Sequence, residues 1–79
     1  MKEKTGKERL KDWILYQTWN GKKYIRTSDI ARYGAENYSN RAMRDARTLA
    51  TEGVLRRVPR DEAILMGLVI GREECYEIL

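Results

Sequence analysis

Three arginines stand three residues apart in the middle of the chain, at Arg41, Arg44 and Arg47. On a helix, Arg41 and Arg44 share one side with Thr48 and Thr51, and Arg47 and Asn40 flank that side. Guanidinium, amide and hydroxyl groups commonly donate to phosphate oxygens and to base edges in the DNA major groove. The pattern is therefore compatible with a helix that contacts nucleic acid, although, taken alone, it is more often a solvated charged face.

The helix that would carry these arginines is predicted at residues 39–53. Ser39 is a typical N-cap, because its hydroxyl can accept from a free backbone N–H of the first turn. Gly53 is a typical C′ residue, because glycine adopts the left-handed backbone without a Cβ penalty. Apolar residues form the opposite stripe at spacings of three and four: Ala42, Met43, Ala46, Leu49 and Ala50. Since most of this stripe is alanine, we expect close packing against neighbouring elements.

The residue composition excludes several kinds of functional site. The chain has no histidine and a single cysteine, Cys75, which excludes an internal disulfide, a zinc site and a Ser–His or Cys–His nucleophile. Glu73, Glu74 and Glu77 lie on or near one strand, where successive side chains point to opposite faces, so they are a poor catalytic pair. We therefore predict that the protein is not an enzyme and uses no cofactor and no metal. Cys75 is interpreted as a buried apolar residue.

Length and charge favour one small domain over residues 1–79. The net charge is +4, and the excess is concentrated in residues 1–26, which hold eight basic and three acidic groups. This mild balance permits a nucleic-acid partner without requiring one. The polar N-terminal stretch is unlike a signal peptide, and the longest apolar run, residues 63–70, is too short to span a bilayer. We therefore expect a cytoplasmic protein with no membrane partner.

Two helices and a short strand are predicted before residue 39. A first helix at residues 8–19 follows a flexible basic lead at residues 1–7, and Asn20-Gly21 ends it. Residues 22–26 suit a short strand. A second helix would start at Thr27 or Ser28 and end after two turns at Gly34. Two short helices joined by a glycine-containing turn are a helix-turn-helix signal.

Two strands are predicted after residue 53, at residues 54–58 and 75–79, with Pro59 ending the first. The residues between them can be interpreted in two ways. They could form a helical turn starting at Asp61, or extend a hairpin with Gly67 as a bulge. In either case the apolar residues 63–70 exceed what a small core would absorb, and exposed apolar patches often mark interfaces.

This order of elements resembles the winged helix-turn-helix family. Thr27 to Ala31 looks like the start of the family's second helix. Leu49-Ala50-Thr51-Glu52-Gly53-Val54-Leu55 is similar to the exit of its recognition helix into the first wing strand, and Tyr76-Glu77-Ile78-Leu79 resembles its closing strand. The resemblance implies an α+β fold of three helices with a C-terminal β-hairpin wing, to which residues 22–26 would add a short third strand.

The resemblance also implies a function. The protein would bind double-stranded DNA, as a small transcriptional regulator with helix 39–53 in the major groove. Arg44 is central on the outer face and is our candidate for reading a base. Ser28 and Arg32 would hold phosphates with the helix N-termini, and Arg56 or Arg57, whichever faces outward, would add backbone contacts. An Arg41–Asp45 ion pair at i,i+4 would divert Arg41 from DNA.

One departure from the family supports a second hypothesis. The usual wing tip is polar and basic, whereas here Arg60 and Arg72 bracket the apolar residues 63–70. This segment suits a homodimer contact or a protein partner, and the first helix offers another dimer contact through Trp13, Tyr16 and Trp19. The alternative function is therefore a protein-interaction module on a winged-helix scaffold, such as a phage-type or accessory component that docks through residues 63–70.

Overall fold

Four helices and three strands make up residues 4–79, the part of the chain that this computed structural model describes. The elements are α1 (Gly6–Trp19), β1 (Tyr24–Arg26), α2 (Thr27–Glu36), α3 (Ala42–Thr51), β2 (Leu55–Val58), α4 (Arg60–Leu65) and β3 (Cys75–Ile78). The predicted α+β class and the three predicted strands are confirmed. Within the same range, no helix combines the length and apolar character needed to cross a membrane.

The sheet is antiparallel, with β3 in the centre between β1 and β2. Ile25 pairs with Tyr76, and Val58 pairs with Cys75. Because side chains alternate along a strand, these two pairs lie on opposite faces of the sheet. The sheet therefore has two faces to cover, although its strands are only three or four residues long.

The larger core lies between one face of the sheet and helices α1, α2 and α3. Its fully buried members are Leu10, Ile14, Ile25, Ile30, Ala46, Leu49 and Leu55, and Tyr76 is nearly so. Trp13 packs against Tyr33 with 5.0 Å between ring centroids, which places this tryptophan in the core. Burial of this apolar surface is the main force that holds the three helices on the sheet.

Helix α4 covers the other face of the sheet and resolves the two interpretations of residues 60–74 in favour of a helical turn. Ala63 and Val69 are buried against Val58 and Cys75 in a second, smaller cluster. Part of the apolar segment is thus absorbed within the chain, whereas its use as a homodimer or protein contact stays a prediction. The segment still exposes Ile64, Leu65, Met66 and Ile70.

The predicted helix starts need two corrections. Helix α1 begins at Gly6, because Thr5 caps it by accepting from the Glu8 N–H at 3.2 Å, so the predicted lead is too long. Residues 1–3 of that lead lie outside the described residues. Helix α3 begins at Ala42 rather than after Ser39, and the residue before it, Arg41, makes no side-chain capping hydrogen bond; the Ser39 N–H donates to the Gly34 carbonyl at 2.7 Å.

The second helix does not end at Gly34. It continues to Glu36, and the left-handed residue that follows it is Tyr38, with a φ of 54°. Gly34 is buried inside the helix, where an added Cβ would lie 2.7 Å from the Ser39 carbonyl oxygen and 3.2 Å from the Ala42 Cβ. The glycine therefore serves the close approach of α2 and α3.

Candidate nucleic-acid interface

Helix α3 is held by the predicted alanine-rich stripe. Ala42, Ala46 and Leu49 are buried, and Met43 and Ala50 are half-buried. Small side chains let backbones approach closely, and Gly34 adds to this effect on the α2 side. The C-terminal end is fixed as predicted, since Gly53 has a φ of 85° and its N–H and that of Val54 donate to the Ala50 and Leu49 carbonyls. The polar face of α3 is thus carried on a firmly packed helix.

Four arginines are exposed on the outer surface of α2 and α3. They are Arg32, Arg41, Arg44 and Arg47. Within residues 4–79 none of them has a carboxylate oxygen within 4.0 Å. Guanidinium groups remain charged at any physiological pH. This surface, which we call the α3 face, therefore presents positive charge that the described part of the chain does not neutralise.

Two acidic residues, Asp45 in α3 and Glu52 just after it, lie beside α1. The Lys7 ammonium pairs with the Glu52 carboxylate, and this contact raises the pKa of Lys7. Asp45 lies beside Gly6, where an added Cβ would be 3.3 Å from its Oδ2. Both acids therefore face α1, and the expected Arg41–Asp45 ion pair does not form among the described residues. Arg41 therefore keeps its charge without an ion pair in residues 4–79, although it lines a cleft beside α1 together with Arg9 and Asp45.

The smaller polar groups of the predicted site have mixed environments. Asn40 and Ser28 are exposed. The Thr48 hydroxyl donates to the Arg44 carbonyl at 3.1 Å, so its proton is used within the helix and only its lone pairs remain. At the start of α2, the Asp29 carboxylate accepts from the Arg26 N–H at 3.1 Å. A carboxylate at that position opposes a phosphate beside Ser28.

Both arginines of β2 are exposed, but each is bound to glutamate. Arg56 Nε donates to Glu77 Oε1 at 2.8 Å, and its guanidinium lies 3.8 Å from Glu62. The hydrogen bond to Glu77 raises the pKa of Arg56. Arg57 donates to Glu74 at 2.8 Å. The charges that the sequence assigned to phosphate contact are thus compensated inside the chain.

A further arginine makes a contact within the connection between β2 and β3. Arg60 donates to the Gly71 carbonyl, so this side chain also has a partner in its own segment. We call the surface formed by residues 56–74 the wing face. A cleft of about 300 Å³ separates it from the α3 face and is lined by Arg47, Ala50, Arg57, Glu74 and Tyr76.

Sequence reasoning missed two features of this region. The pairing of Arg56 with Glu77 follows from strand register, in which the two residues are direct cross-strand neighbours, and the register was not known. Tyr38 projects from the turn before α3 with 97% of its surface exposed. Its left-handed conformation has no sequence signal, because tyrosine rarely adopts it.

The described residues contain no group of three histidine, cysteine, aspartate or glutamate side chains that could hold a metal ion. Comparisons with protein-family models, with curated proteins and with solved structures return no match for this chain. The candidate site is therefore interpreted from its own geometry and charge.

Proposed function

We propose that the protein is a cytoplasmic DNA-binding module of the winged helix-turn-helix class, with α3 in the major groove. The order α1, β1, α2, α3, β2, β3 and the sheet order β1-β3-β2 support this proposal, since they agree with the element order that the sequence resemblance implied. Helix α4 is then an addition within the wing. A small transcriptional regulator is the role that this arrangement suits best.

The uncompensated charge of the α3 face carries the proposal. DNA-binding proteins gain affinity by replacing condensed counterions with arginine and lysine, and arginines already paired with carboxylates contribute less to that exchange. Arg44 is central and exposed, and we propose it for base contact. A bidentate arginine–guanine contact contributes about 1–3 kcal/mol of discrimination.

The other arginines of the α3 face flank that position. Arg41 lies at the start of the helix and Arg47 beside the wing face, while Arg32 projects from α2. We propose phosphate contacts for these three, since phosphate contacts fix the orientation of a protein on the duplex. Asn40 and Thr48 remain candidates for hydrogen bonds within the groove.

Fluorescence anisotropy with labelled random duplex DNA tests the proposal. We expect binding at about 50 mM salt that weakens steeply by about 200 mM, because counterion release makes affinity depend on salt. Arg44→Ala combined with Arg47→Ala should abolish most of the binding while thermal unfolding followed by circular dichroism stays unchanged. Absence of binding by the wild-type protein at low salt would contradict the proposal.

A second candidate function follows from the exposed apolar residues of the wing face. Leu65 and Ile70 are 87% and 90% exposed, with Ile64 and Met66 beside them in the same segment. An apolar surface of this kind fits a protein partner. Binding through it would depend little on salt, and Leu65→Ser with Ile70→Ser would weaken it while leaving DNA binding intact.

A further inference from the structure

A groove of about 590 Å³ runs between α1 and the ends of β2 and β3. Its apolar lining includes Leu15, Val54, Ile78 and Leu79, and Glu8 and Lys11 stand at its polar end. Leu15 is 52% exposed, and Leu79 is more exposed still. These apolar side chains have no role in the DNA-binding proposal, and they form an open concave surface along one side of α1.

A large side chain projects from the same side of α1. Trp19 is 79% exposed and follows Leu15 by four residues, so the two share one helix face. Such high exposure is unusual for a tryptophan, because this side chain buries a large apolar area when it packs against a partner. One helix thus carries both an apolar groove and an indole that nothing in residues 4–79 encloses.

The charges along this face change sign from one end to the other. Glu8 lies near the N-terminal end of α1, whereas Lys22 and Lys23 follow its C-terminal end. Of the two acidic side chains of α1, Asp12 pairs with Lys4, whereas Glu8 has no ion pair in the described range and accepts from the Thr5 hydroxyl at 3.3 Å. The Lys23 carbonyl accepts from the N–H of Ile78, one of the residues that line the groove, at 2.8 Å.

We propose that the protein forms a two-fold symmetric dimer through this face, with the two α1 helices antiparallel. At about 1.5 Å per residue, Glu8 lies about 10 Å before Leu15, and Lys22 lies just past the other end of the helix, where its N–H donates to the Gln17 carbonyl at 3.0 Å. A two-fold axis near Leu15 therefore places Glu8 opposite Lys22 and Lys23 of the partner subunit. An isologous interface requires this kind of self-complementarity.

The same axis brings the indole into the groove. Lys11 precedes Leu15 by four residues, as Trp19 follows it by four, so Trp19 of the partner subunit meets Lys11. A lysine ammonium against an indole is a favourable cation–π arrangement. In this two-fold dimer both Trp19 side chains are buried and both grooves are filled. A heterologous contact would leave one indole and one groove exposed. On the wing face, by contrast, Arg56 and Arg60 are already bound within the chain.

The interface would be small. Helix α1 has 14 residues and is about 21 Å long, and a standard interface buries about 800 Å² per partner. We therefore expect a dissociation constant in the micromolar range, as is common for small contacts. The dimer does not require DNA, so its failure and the failure of the DNA-binding proposal are separate results.

Sedimentation equilibrium of the full chain without DNA, from micromolar to submillimolar concentration, tests the dimer. Trp19→Ala should weaken association at least tenfold, whereas Leu65→Ser on the wing face should leave it unchanged. Because both residues are exposed, we expect these variants to fold like the wild type, and circular dichroism checks this. A strictly monomeric wild type, or a dimer that Leu65→Ser dissociates and Trp19→Ala does not, would overturn the proposal.

A charge swap tests the antiparallel arrangement. Glu8→Lys alone, and Lys22→Glu with Lys23→Glu alone, should each weaken self-association by repulsion. A mixture of the two variants restores both contacts, since each heterodimer then pairs an acid with a base at both ends. The mixture should therefore associate more tightly than either variant, and less so in high salt. A mixture no tighter than its components would refute antiparallel pairing.

Discussion

The α3 face and the wing face carry the same kind of side chain in opposite states. Arg41, Arg44 and Arg47 stand on a tightly packed helix and have no carboxylate within 4.0 Å in the described residues. Arg56 and Arg57 stand on a short strand, and each is bound to a glutamate of the β3 side at 2.8 Å. The comparison teaches that the number of arginines is not enough to locate a candidate nucleic-acid interface. Whether each arginine is already paired with a carboxylate must be considered as well.

The largest effect is expected where α3 packs on α2. Gly34→Ala should lower the free energy of unfolding by about 2–3 kcal/mol, as overpacked sites do, because the new Cβ would lie 2.7 Å from the Ser39 carbonyl oxygen. Denaturation with urea measures it. The exposed neighbour Ala35 supplies the control, since Ala35→Gly should cost no more than about 1 kcal/mol. Equal or greater stability of the Gly34→Ala variant would contradict this packing.

A second prediction converts the wing face into a surface like the α3 face. Glu74→Gln with Glu77→Gln should release Arg57 and leave Arg56 only the more distant Glu62 at 3.8 Å, while changing stability little, because exposed ion pairs contribute little. Two new phosphate contacts would steepen the salt slope of DNA binding by as much as about 1.8. Anisotropy titrations at several salt concentrations measure the slope. The swap Glu73→Gln with Asp61→Gln changes the charge equally and is the control. An identical salt slope in both variants would show that the ion pairs with Glu74 and Glu77 do not keep the wing arginines from DNA.

A third prediction compares the two turns that follow α2 and α4. Tyr38 has a φ of 54°, whereas Gly67 occupies the left-handed position after α4 with a φ of 72°. Tyr38→Gly should therefore be about 1 kcal/mol more stable than Tyr38→Ala, which keeps the Cβ. Gly67→Ala should destabilise by a similar amount, although its Cβ would meet nothing within 4 Å. Thermal unfolding compares the stabilities of these variants. Equal stability of Tyr38→Gly and Tyr38→Ala would show that the backbone at position 38 is not strained.

The smallest effect concerns the buried cysteine beneath α4. Burial raises the pKa of the Cys75 thiol above its ordinary value of 9.0, because the low-dielectric interior disfavours the thiolate. The unfolded chain then releases this proton first, so stability should be constant below about pH 9 and fall as pH rises further. Urea denaturation between about pH 7 and pH 10 measures the trend relative to Cys75→Ala. If Cys75→Ala shows the same pH dependence of stability as the wild type, other titrating groups cause the loss of stability at high pH.

The sequence was sufficient to predict the positions of most elements and the two faces of α3. Ala42, Ala46 and Leu49 recur at helical spacing, and the structure buries them while exposing the arginines. Hydrophobic periodicity is a local property, so it can be read without knowing the fold. The α+β class followed because the helical pattern changes to strand residues after Gly53.

The errors came from residues whose role depends on distant contacts. Glycine is typical both of a helix end and of close helix packing, and only the position of Ser39 and Ala42 shows that Gly34 serves the second role. Ser39 resembles an N-cap, yet α3 begins three residues later at Ala42, and the Ser39 N–H bonds the end of α2. The glutamates that bind Arg56 and Arg57 are 21 and 17 residues away, and strand register decides their pairing.

One matched comparison tests the central claim most directly. Arg44→Ala with Arg47→Ala and Arg56→Ala with Arg57→Ala remove the same charge from the two faces, and both are measured by anisotropy on the same random duplex at the same salt. We expect the first variant to lose at least tenfold in affinity, in line with two lost contacts, and the second to lose less than about threefold. Equal losses, or a larger loss for the β2 variant, would contradict the claim that α3 is the interface.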